Sequence, residues 1–198
     1  MRVAALILAA GASTRLGEPK QLLHLGSLTG GATSDERLLE RAIRIAVEAR
    51  CSPVVVVLGA YAGEILEACH MEGVAVVRNE GWAEGMGSSV RVGMAAMPAE
   101  ISGVVLMTCD QPAVTTEHLS SLIVLGDATG EAVGSAYAGR SGVPAFIPAG
   151  LFARLRALRG DEGARALITS ARKVNLPGGE LDVDTRESLK AAQQLFAH

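Results

Sequence analysis

Apolar residues occur along the chain in short runs, separated by segments in which they recur with helical spacing. The first run, at positions 3–8, is continuous, as expected of a short strand buried on both faces. Valine-rich runs at 54–58 and 104–107 predict two more such strands. Between the first two runs, apolar residues three and four positions apart predict an amphipathic helix over residues 36–50, with Asp35 as its N-cap.

The rest of the chain continues this alternation of strands and helices. Further strands are predicted at 74–77, 131–137, 143–147, 173–176 and 180–183, and further helices at 62–71, 88–97, 116–125, 151–158, 163–170 and from Arg186 onward. Such alternation indicates an α/β fold, in which helices cover both faces of a mostly parallel sheet. Because no repeat, charge run or linker divides the chain, we expect a single domain over residues 1–198.

The loop that follows the first strand has the composition of a phosphate-binding segment. Residues 8–20 read L-A-A-G-A-S-T-R-L-G-E-P-K, so small residues that let the backbone approach a ligand stand beside Arg15 and Lys20. The dinucleotide-binding fingerprint would need glycine where Ser13 stands, and a Walker motif would need lysine directly after Gly17. A plain strand-to-helix turn with two surface cations is the alternative interpretation.

One carboxylate and one pair of carboxylates occupy positions suited to a metal ion. Asp110 follows the strand at 104–107. The loop after the first strand is expected at the same edge of the sheet, because both follow the carboxyl ends of parallel strands. There a carboxylate can hold Mg²⁺ against a triphosphate, although a turn-forming role before Pro112 is also consistent with the pattern. Asp182 and Asp184 alternate in an extended segment, so their side chains point to the same face.

A third segment, 81–91, reads G-W-A-E-G-M-G-S-S-V-R. Its glycines permit close backbone approach, and Ser88 and Ser89 at the start of a predicted helix offer hydroxyl and N–H donors to a ligand. Trp82 either stacks on a base or packs the loop. An ordinary capped helix after a loop would have the same residues.

Taken together, these segments resemble the MobA-like nucleotidyltransferases. Residues 8–20 are similar to the family signature L-A-[AG]-G-x-S-x-R-x-G-x-P-K. The motifs C-D-Q-P at 109–112 and G-M-G-S-S at 85–89 resemble the molybdenum cofactor cytidylyltransferase branch of that family. L-D-V-D-T at 181–185 resembles a family ending, D-[IV]-D-T-P-E-D, but continues as R-E-S, a departure that weakens the start of the last helix.

The resemblance implies a fold and a set of functional residues. The fold is a three-layer α/β/α sandwich around a Rossmann-like sheet, of the nucleotide-diphospho-sugar transferase type. Arg15 and Lys20 are the implied catalytic residues, and Asp110 and Asp184 the implied Mg²⁺ ligands. Nucleotide binding is expected at Ala9, Ala10, Gly11, Ala12, Ser13, Arg15, Lys20, Gly87, Ser88 and Ser89.

The resemblance also implies a reaction. CMP would be transferred from CTP to the phosphate of a molybdopterin-type cofactor, with release of pyrophosphate. CTP is favoured over GTP because guanylyl members of the family usually carry glycine where this chain has Ala10. The protein partner would be a molybdenum hydroxylase or its chaperone.

Two other functions are compatible with the same residues. One is a pyrophosphorylase that couples an NTP to a sugar or alditol phosphate, and the other is a non-catalytic cofactor-binding chaperone of a molybdoenzyme. Segments 142–145 and 160–165 resemble acceptor-side segments of the family, and Arg140 or Arg165 could meet a second phosphate.

Composition narrows the cellular setting. A formal net charge of −3 provides no global attraction to nucleic acid or to an anionic membrane, and no segment has the length of a membrane span. Three cysteines without a C-x-x-C pair indicate a reducing compartment, so we expect a cytoplasmic protein.

Overall fold

The computed structural model describes residues 2–25, 36–162, 164–169 and 171–195. Within these ranges seven strands form one sheet in the order β3-β2-β1-β4-β6-β5-β7. The strands are β1 (Val3–Ala9), β2 (Val54–Leu58), β3 (Ala75–Arg78), β4 (Gly103–Thr108), β5 (Val133–Tyr137), β6 (Arg140–Pro148) and β7 (Arg172–Asn175). The helices are α1 (Leu38–Glu48), α2 (Ala62–Ala68), α3 (Met86–Ala95), α4 (Thr116–Thr129), α5 (Phe152–Arg156), α6 (Arg165–Ile168) and α7 (Arg186–Leu195).

The sheet is mostly parallel, as predicted. β1, β2, β3 and β4 run parallel to one another, and only β6 pairs antiparallel, with β4 on one side and β5 on the other. From β1 the chain proceeds outward to β2 and β3, and then returns to the opposite side of β1 to form β4. The strand order therefore reverses between β1 and β4, and their carboxyl ends border the crevice in which such sheets bind ligands.

Helices cover both faces of the sheet, which confirms the three-layer α/β/α architecture. Alternate residues of β1 face opposite layers: Ala5 and Ile7 pack with the layer of α1, α2 and α4, and Ala4 and Leu6 with that of α3, α5 and α6. A third, smaller cluster joins Leu38, Val183 and Ala192, and so attaches α7 beside the loop after β1.

Several predicted elements differ from those in the structure. Residues 180–183, predicted as a strand, form none; the segment is attached by the Val183 N–H, which donates to the carbonyl oxygen of Asp110 at 2.9 Å. The predicted helix at 163–170 is the shorter α6, and Asp35, the predicted N-cap of α1, lies outside the described residues.

The start of α7 differs from its expectation as well. The Thr185 hydroxyl accepts from the Ser188 N–H at 3.1 Å, and the Ser188 hydroxyl accepts from the Thr185 N–H at 3.0 Å. These reciprocal bonds satisfy free N–H groups of the first turn, so the R-E-S sequence leaves the helix capped. No helix within the described ranges is long and apolar enough to cross a membrane.

Candidate active site

A cleft of about 390 Å³ lies at the carboxyl ends of β1 and β4. The loop after β1 contributes Ala10 and Gly11, and a short 3₁₀ helix at Lys20–Leu22 contributes Lys20. The segment before and within the first turn of α3 contributes Trp82 and Ser89 among others, and Asp110 follows β4. Three segments that the sequence analysis selected independently thus border one cavity.

The loop after β1 is held in shape by its own hydrogen bonds. Ser13 has a positive φ of 50°, its carbonyl accepts from the N–H groups of Leu16 and Gly17, and its hydroxyl accepts from the Lys20 N–H at 3.2 Å. Buried Gln21 donates its side-chain N–H to the carbonyl oxygen of Ala9 at 2.7 Å. Lys20 therefore projects from a backbone fixed at both ends.

Four predicted charged residues meet at the edge of this cleft. The Lys20 ammonium contacts the carboxylate of Asp110 and, at 2.6 Å, Oδ1 of Asp184, whose Oδ2 accepts from Arg15 at 2.7 Å. The bond from Val183 to the Asp110 carbonyl explains this proximity, because it attaches the segment carrying Asp184 beside the end of β4.

Burial differs among these four groups, and so does their electrostatic influence. The Lys20 side chain is 16% exposed and that of Arg15 is 69% exposed. Burial acts to lower the pKa of Lys20, but the carboxylates of Asp110 and Asp184 outweigh it and raise that pKa. For Asp184, burial acts to raise the pKa, but Lys20 and Arg15 hold it below its usual value. At neutral pH both groups are therefore charged.

Asp182 is a further carboxylate near this charge cluster, and its pKa is shifted upward. Burial first, and then repulsion from Asp110 and Asp184, raises its pKa to about 6. Lys20 and Arg140 act in the opposite direction without reversing the shift. Asp182 thus lies close to the charge cluster, in surroundings that disfavour its charged form.

The donor set fits a divalent cation that is shared with a substrate. One ammonium contacts oxygens of both Asp110 and Asp184, so the two carboxylates can serve a common cation. Among the described residues no group of three or more acidic, histidine or cysteine side chains forms a complete metal site. Mg²⁺ characteristically takes one or two carboxylates and completes its shell with phosphate oxygens and water.

Two glycines of the G-M-G-S-S motif make room for another segment of the chain, whereas the sequence predicted that they make room for a ligand. A Cβ on Gly85 would lie 2.5 Å from Asp161 Oδ1, and one on Gly87 would lie 2.9 Å from the Arg159 backbone nitrogen. The Gly87 N–H donates to the carbonyl oxygen of Gly160 at 2.8 Å. These glycines let the 159–161 turn lie against the start of α3, and Asp161 lines the cleft beside them.

The two serines of the same motif differ in their surroundings. Both are buried, but Ser89 lines the cleft, whereas the Ser88 hydroxyl donates to the carbonyl oxygen of Gly85 at 2.8 Å. The side-chain amide of Asn79 contacts both serine hydroxyls, at 2.8 and 3.0 Å. Asn79 directly follows the end of β3, as Asp110 follows β4. A search for polar residues just after predicted strands would therefore have identified Asn79 from the sequence.

Other predicted residues take varied positions around the cleft. Ala9, Ala10 and Gly11 line it, whereas Ala12 and Ser13 are not among its lining residues, and the Ser13 carbonyl closes the turn that follows. Gln21 and Thr108 also line the cleft, and nothing in their sequence context marked them. Nucleotide binding by these residues, by Gly87, Ser88 and Ser89, and by the charged cluster stays a prediction.

The acceptor-side segments lie in two different places. The 160–161 turn packs on α3, whereas Gly142 lies against Tyr137, over whose ring the Arg140 guanidinium is centred at 5.6 Å.

Cys109, although adjacent to Asp110, is not an activated nucleophile: burial, aided by the Asp110 charge, raises its pKa to about 12.

Comparison with known proteins identifies relatives of this chain. The family model for the MobA-like NTP transferase domain matches residues 5–174. A nicotine blue oxidoreductase of Paenarthrobacter nicotinovorans is 32% identical over 174 residues, covering 84% of this chain and 81% of that protein. The purine catabolism protein PucB of Bacillus subtilis (strain 168) is 28% identical over 179 residues, covering 83% and 80%.

Solved structures agree with the fold. Rv0371c from Mycobacterium tuberculosis H37Rv matches with a TM-score of 0.84 and 31% identity over 98% of each chain. A complex of Rv0371c with manganese matches with a TM-score of 0.79 and 30% identity, covering 98% of this chain and 99% of that one.

Proposed function

This chain belongs to the family of MobA-like NTP transferase domains, and we propose that it transfers CMP from CTP to the phosphate of a molybdopterin-type cofactor, releasing pyrophosphate. The observation that supports this reaction class is the contact of Lys20 and Arg15 with Asp110 and Asp184 at the mouth of the cleft. Cations suited to phosphate and carboxylates suited to a divalent metal stand together where β1 and β4 end.

The proposed reaction needs positioning and charge neutralisation more than proton transfer. An oxygen of the acceptor's phosphate monoester attacks the α-phosphorus of CTP, the bond from that phosphorus to the bridging oxygen breaks, and pyrophosphate leaves with its electron pair. Because a phosphate monoester is largely ionised at neutral pH, no general base is required. Catalysis then depends on fixed charges beside the phosphates.

Binding of a metal–nucleotide complex would exchange the partners within the charge cluster. Lys20, held by its buried surroundings, would transfer its contact from the carboxylates to the α-phosphate and the leaving group, and Arg15 would do the same from the exposed side. An exposed ion pair such as Arg15–Asp184 contributes at most about 1 kcal/mol to stability, so releasing Arg15 costs little.

The metal would be Mg²⁺, held by Asp110 and Asp184, and it would neutralise phosphate charge in the transition state. The manganese complex of Rv0371c supports a divalent cation in this family. The matched family region ends at residue 174, so the assignment of Asp184 depends on its contacts with Lys20 and Arg15.

Base preference is proposed to depend on Ala10. Its carbonyl accepts from the Ala60 N–H at 3.1 Å, and the residue is buried at the cleft wall. A methyl group at this position takes space that a glycine would leave to the larger guanine, which favours CTP. The cytidylyl assignment also draws on the C-D-Q-P and G-M-G-S-S motifs.

The proposed setting follows from the proposed substrate. A cytosolic protein that hands its product to a molybdenum hydroxylase or to that enzyme's chaperone fits the acceptor, and the net charge of −3 argues against nucleic acid as a partner.

A second candidate function is raised by one relative. The nicotine blue oxidoreductase, at 32% identity, is named for a redox activity. A redox function for this chain would need a site for a reductant such as a nicotinamide dinucleotide. Its first loop lacks the glycine fingerprint of such a site. The charge cluster has a direct use in nucleotidyl transfer, which is why we favour that reaction.

Pyrophosphate release tests these alternatives together. Purified protein would be incubated with Mg²⁺, a molybdopterin-type acceptor and CTP, GTP, ATP or UTP in turn, and then with sugar phosphates as acceptors. We expect release with CTP, and a shift toward GTP in Ala10→Gly. Release only with a sugar phosphate would replace the acceptor, and oxidation of NADH or NADPH without pyrophosphate release would favour the redox function.

A further inference from the structure

Asn79 connects the loop after β3 to the first turn of α3 through three hydrogen bonds. Its Oδ1 accepts from the Gly81 N–H at 3.0 Å, and its Nδ2 donates to the hydroxyl oxygens of Ser88 at 2.8 Å and Ser89 at 3.0 Å. The orientation of the amide is fixed by chemistry, because a backbone N–H can only donate and so requires the oxygen of Asn79 opposite it. The residue is buried, with 4% of its surface exposed.

This arrangement determines the direction of each serine hydrogen bond. Both serine oxygens accept from Asn79, so the hydroxyl hydrogen of each must point elsewhere. The Ser88 hydrogen has acceptors in the carbonyl oxygens of Gly85 and Gly81, at 2.8 and 3.1 Å. The hydrogen bonds of the described residues include none in which the Ser89 hydroxyl donates, and Ser89 is the serine that lines the cleft.

We propose that Asn79 is a specificity-determining positioning residue: it makes the Ser89 hydroxyl a hydrogen-bond donor toward the cleft and thereby selects a base that presents an acceptor. The inference rests on the proposed transfer from CTP. Cytosine and uracil differ at two hydrogen-bonding positions: N3, an acceptor in cytosine and an N–H donor in uracil, and the 4-substituent, an NH2 donor in cytosine and a carbonyl acceptor in uracil. Because a donor opposite the 4-substituent would favour UTP, the proposal places the Ser89 hydroxyl opposite N3, where a donor favours CTP.

An isosteric substitution can reverse this polarity. In Asn79→Asp one carboxylate oxygen still accepts from the Gly81 N–H, but the other can no longer donate to the serines. The Ser89 hydroxyl then donates to the carboxylate and presents only lone pairs to the cleft. Shape and hydrogen-bond count change little, whereas the preferred edge of the base is inverted.

The test is equilibrium binding of CTP and UTP at pH 8 with Mg²⁺, measured by calorimetry on full-length protein. We expect the wild type to prefer CTP, and Asn79→Asp to reduce the CTP-to-UTP affinity ratio on the order of tenfold, because a donor has been replaced by an acceptor. Asn175→Asp, which makes the same change of charge on exposed β7, should leave the ratio unaltered.

One serine variant completes the experiment and remains informative if Asn79→Asp does not fold. Ser89→Ala should abolish most of the preference for CTP, and Asn79→Asp should have no further effect on the ratio in that background. Equal loss of affinity for both nucleotides in Asn79→Asp, or an unchanged ratio in Ser89→Ala, would overturn the inference while leaving nucleotidyl transfer intact. A wild type that binds neither nucleotide would overturn both.

Discussion

Lys20 lies at the centre of the charge cluster although its partners are 90 and 164 positions away in the chain. Its ammonium is mostly buried between two carboxylates, and the local loop is fixed by Ser13 and Gln21. In the proposed reaction this fixed ammonium exchanges its carboxylate partners for phosphate oxygens, and preorganised charge is the largest single contribution to many enzymatic rates.

Removing this ammonium should therefore affect turnover far more than folding. Lys20→Met is expected to lower kcat by about 100-fold or more, roughly 3 kcal/mol of transition-state stabilisation. Steady-state pyrophosphate release, with thermal unfolding to confirm the fold, measures this. Lys173→Met on exposed β7 is the matched control and should retain full activity. Near-normal turnover in Lys20→Met would exclude the proposed role.

His118 provides a second prediction, concerning stability. Burial lowers its pKa from the usual 6.5, and its Nε2 is 2.7 Å from the Ser135 hydroxyl. The unfolded chain then binds a proton that the folded chain resists, so the free energy of unfolding should fall as pH drops below about 6.5. Denaturant titrations between pH 5 and pH 8 should give a shallower decline in His118→Gln. An equal slope in both proteins would show that this histidine does not contribute.

At the level of single residues, sequence patterns identify groups that lie next to strand ends. Arg15, Lys20 and Asp110 were predicted that way, and all three lie at the cleft or its edge. Gln21 could not be predicted, because its function is to fix the Ala9 carbonyl, a contact with no counterpart in residue spacing. Asp161 lies in a segment, 160–165, that only the family resemblance selects, and its approach to Gly85 depends on how α3 and the following helices pack.

Among the elements, α3 and the 159–161 turn form one wall of the cleft. The Gly87 N–H and the Arg91 guanidinium bond to the carbonyl oxygens of Gly160 and Leu158, at 2.8 and 2.6 Å. The glycines of G-M-G-S-S are thus required by a contact between two segments, in addition to whatever they allow a ligand.

Gly87→Ala should consequently destabilise the protein. The added Cβ would lie 2.9 Å from a backbone nitrogen of Arg159, and relieving such an overlap costs about 1–3 kcal/mol. In contrast, Gly63→Ala in α2 meets nothing within 4 Å and should gain about 0.5–1 kcal/mol through helix propensity. Denaturant unfolding of both variants measures the difference. Equal stability for the two would mean that the 159–161 turn moves freely away from α3.

Gly11→Ala should separate folding from binding. A Cβ at this position meets no atom within 4 Å, and the backbone has no positive φ, so unfolding free energy should change by less than about 0.5 kcal/mol. The methyl group would nevertheless stand where phosphates approach the loop, and a displacement of about 1 Å can cost on the order of 100-fold in rate. We expect normal unfolding with kcat/KM for CTP lowered at least tenfold. Unimpaired kinetics would indicate that the nucleotide does not contact this loop.

Sequence patterns predict those helices and strands well whose formation depends on burial of apolar residues. They predict poorly which segments pair as strands in the sheet. The continuous apolar run of β1 and the amphipathic α1 are recognisable from sequence alone. Residues 180–183 match a strand pattern because apolar and acidic residues alternate, yet this segment joins no sheet and is attached to the loop after β4 through the Val183 bond. Likewise, the antiparallel pairing of β6 between β4 and β5 has no local signature.

For the whole molecule, the reversal of strand order between β1 and β4 explains where the candidate site lies. Two loops leave the sheet at this point in opposite directions, and α7 attaches the 181–184 segment beside them through Val183. The fold class follows from the order of elements, but the site needs contact between residues far apart in the chain. That is why sequence supports Asp110 and Asp184 as a pair only by resemblance, whereas the structure places both in contact with Lys20.

Nucleotidyl transfer by this site can be followed by the fate of the α-phosphorus. CTP labelled at the α-phosphate would be incubated with Mg²⁺, the molybdopterin-type acceptor and either wild-type protein or Asp110→Asn. We expect the label to appear covalently in the acceptor with the wild type, with unlabelled pyrophosphate released in equal amount, and Asp110→Asn to transfer at least 100-fold more slowly. Full label recovered in CTP, or equal transfer by both proteins, would contradict nucleotidyl transfer by this site.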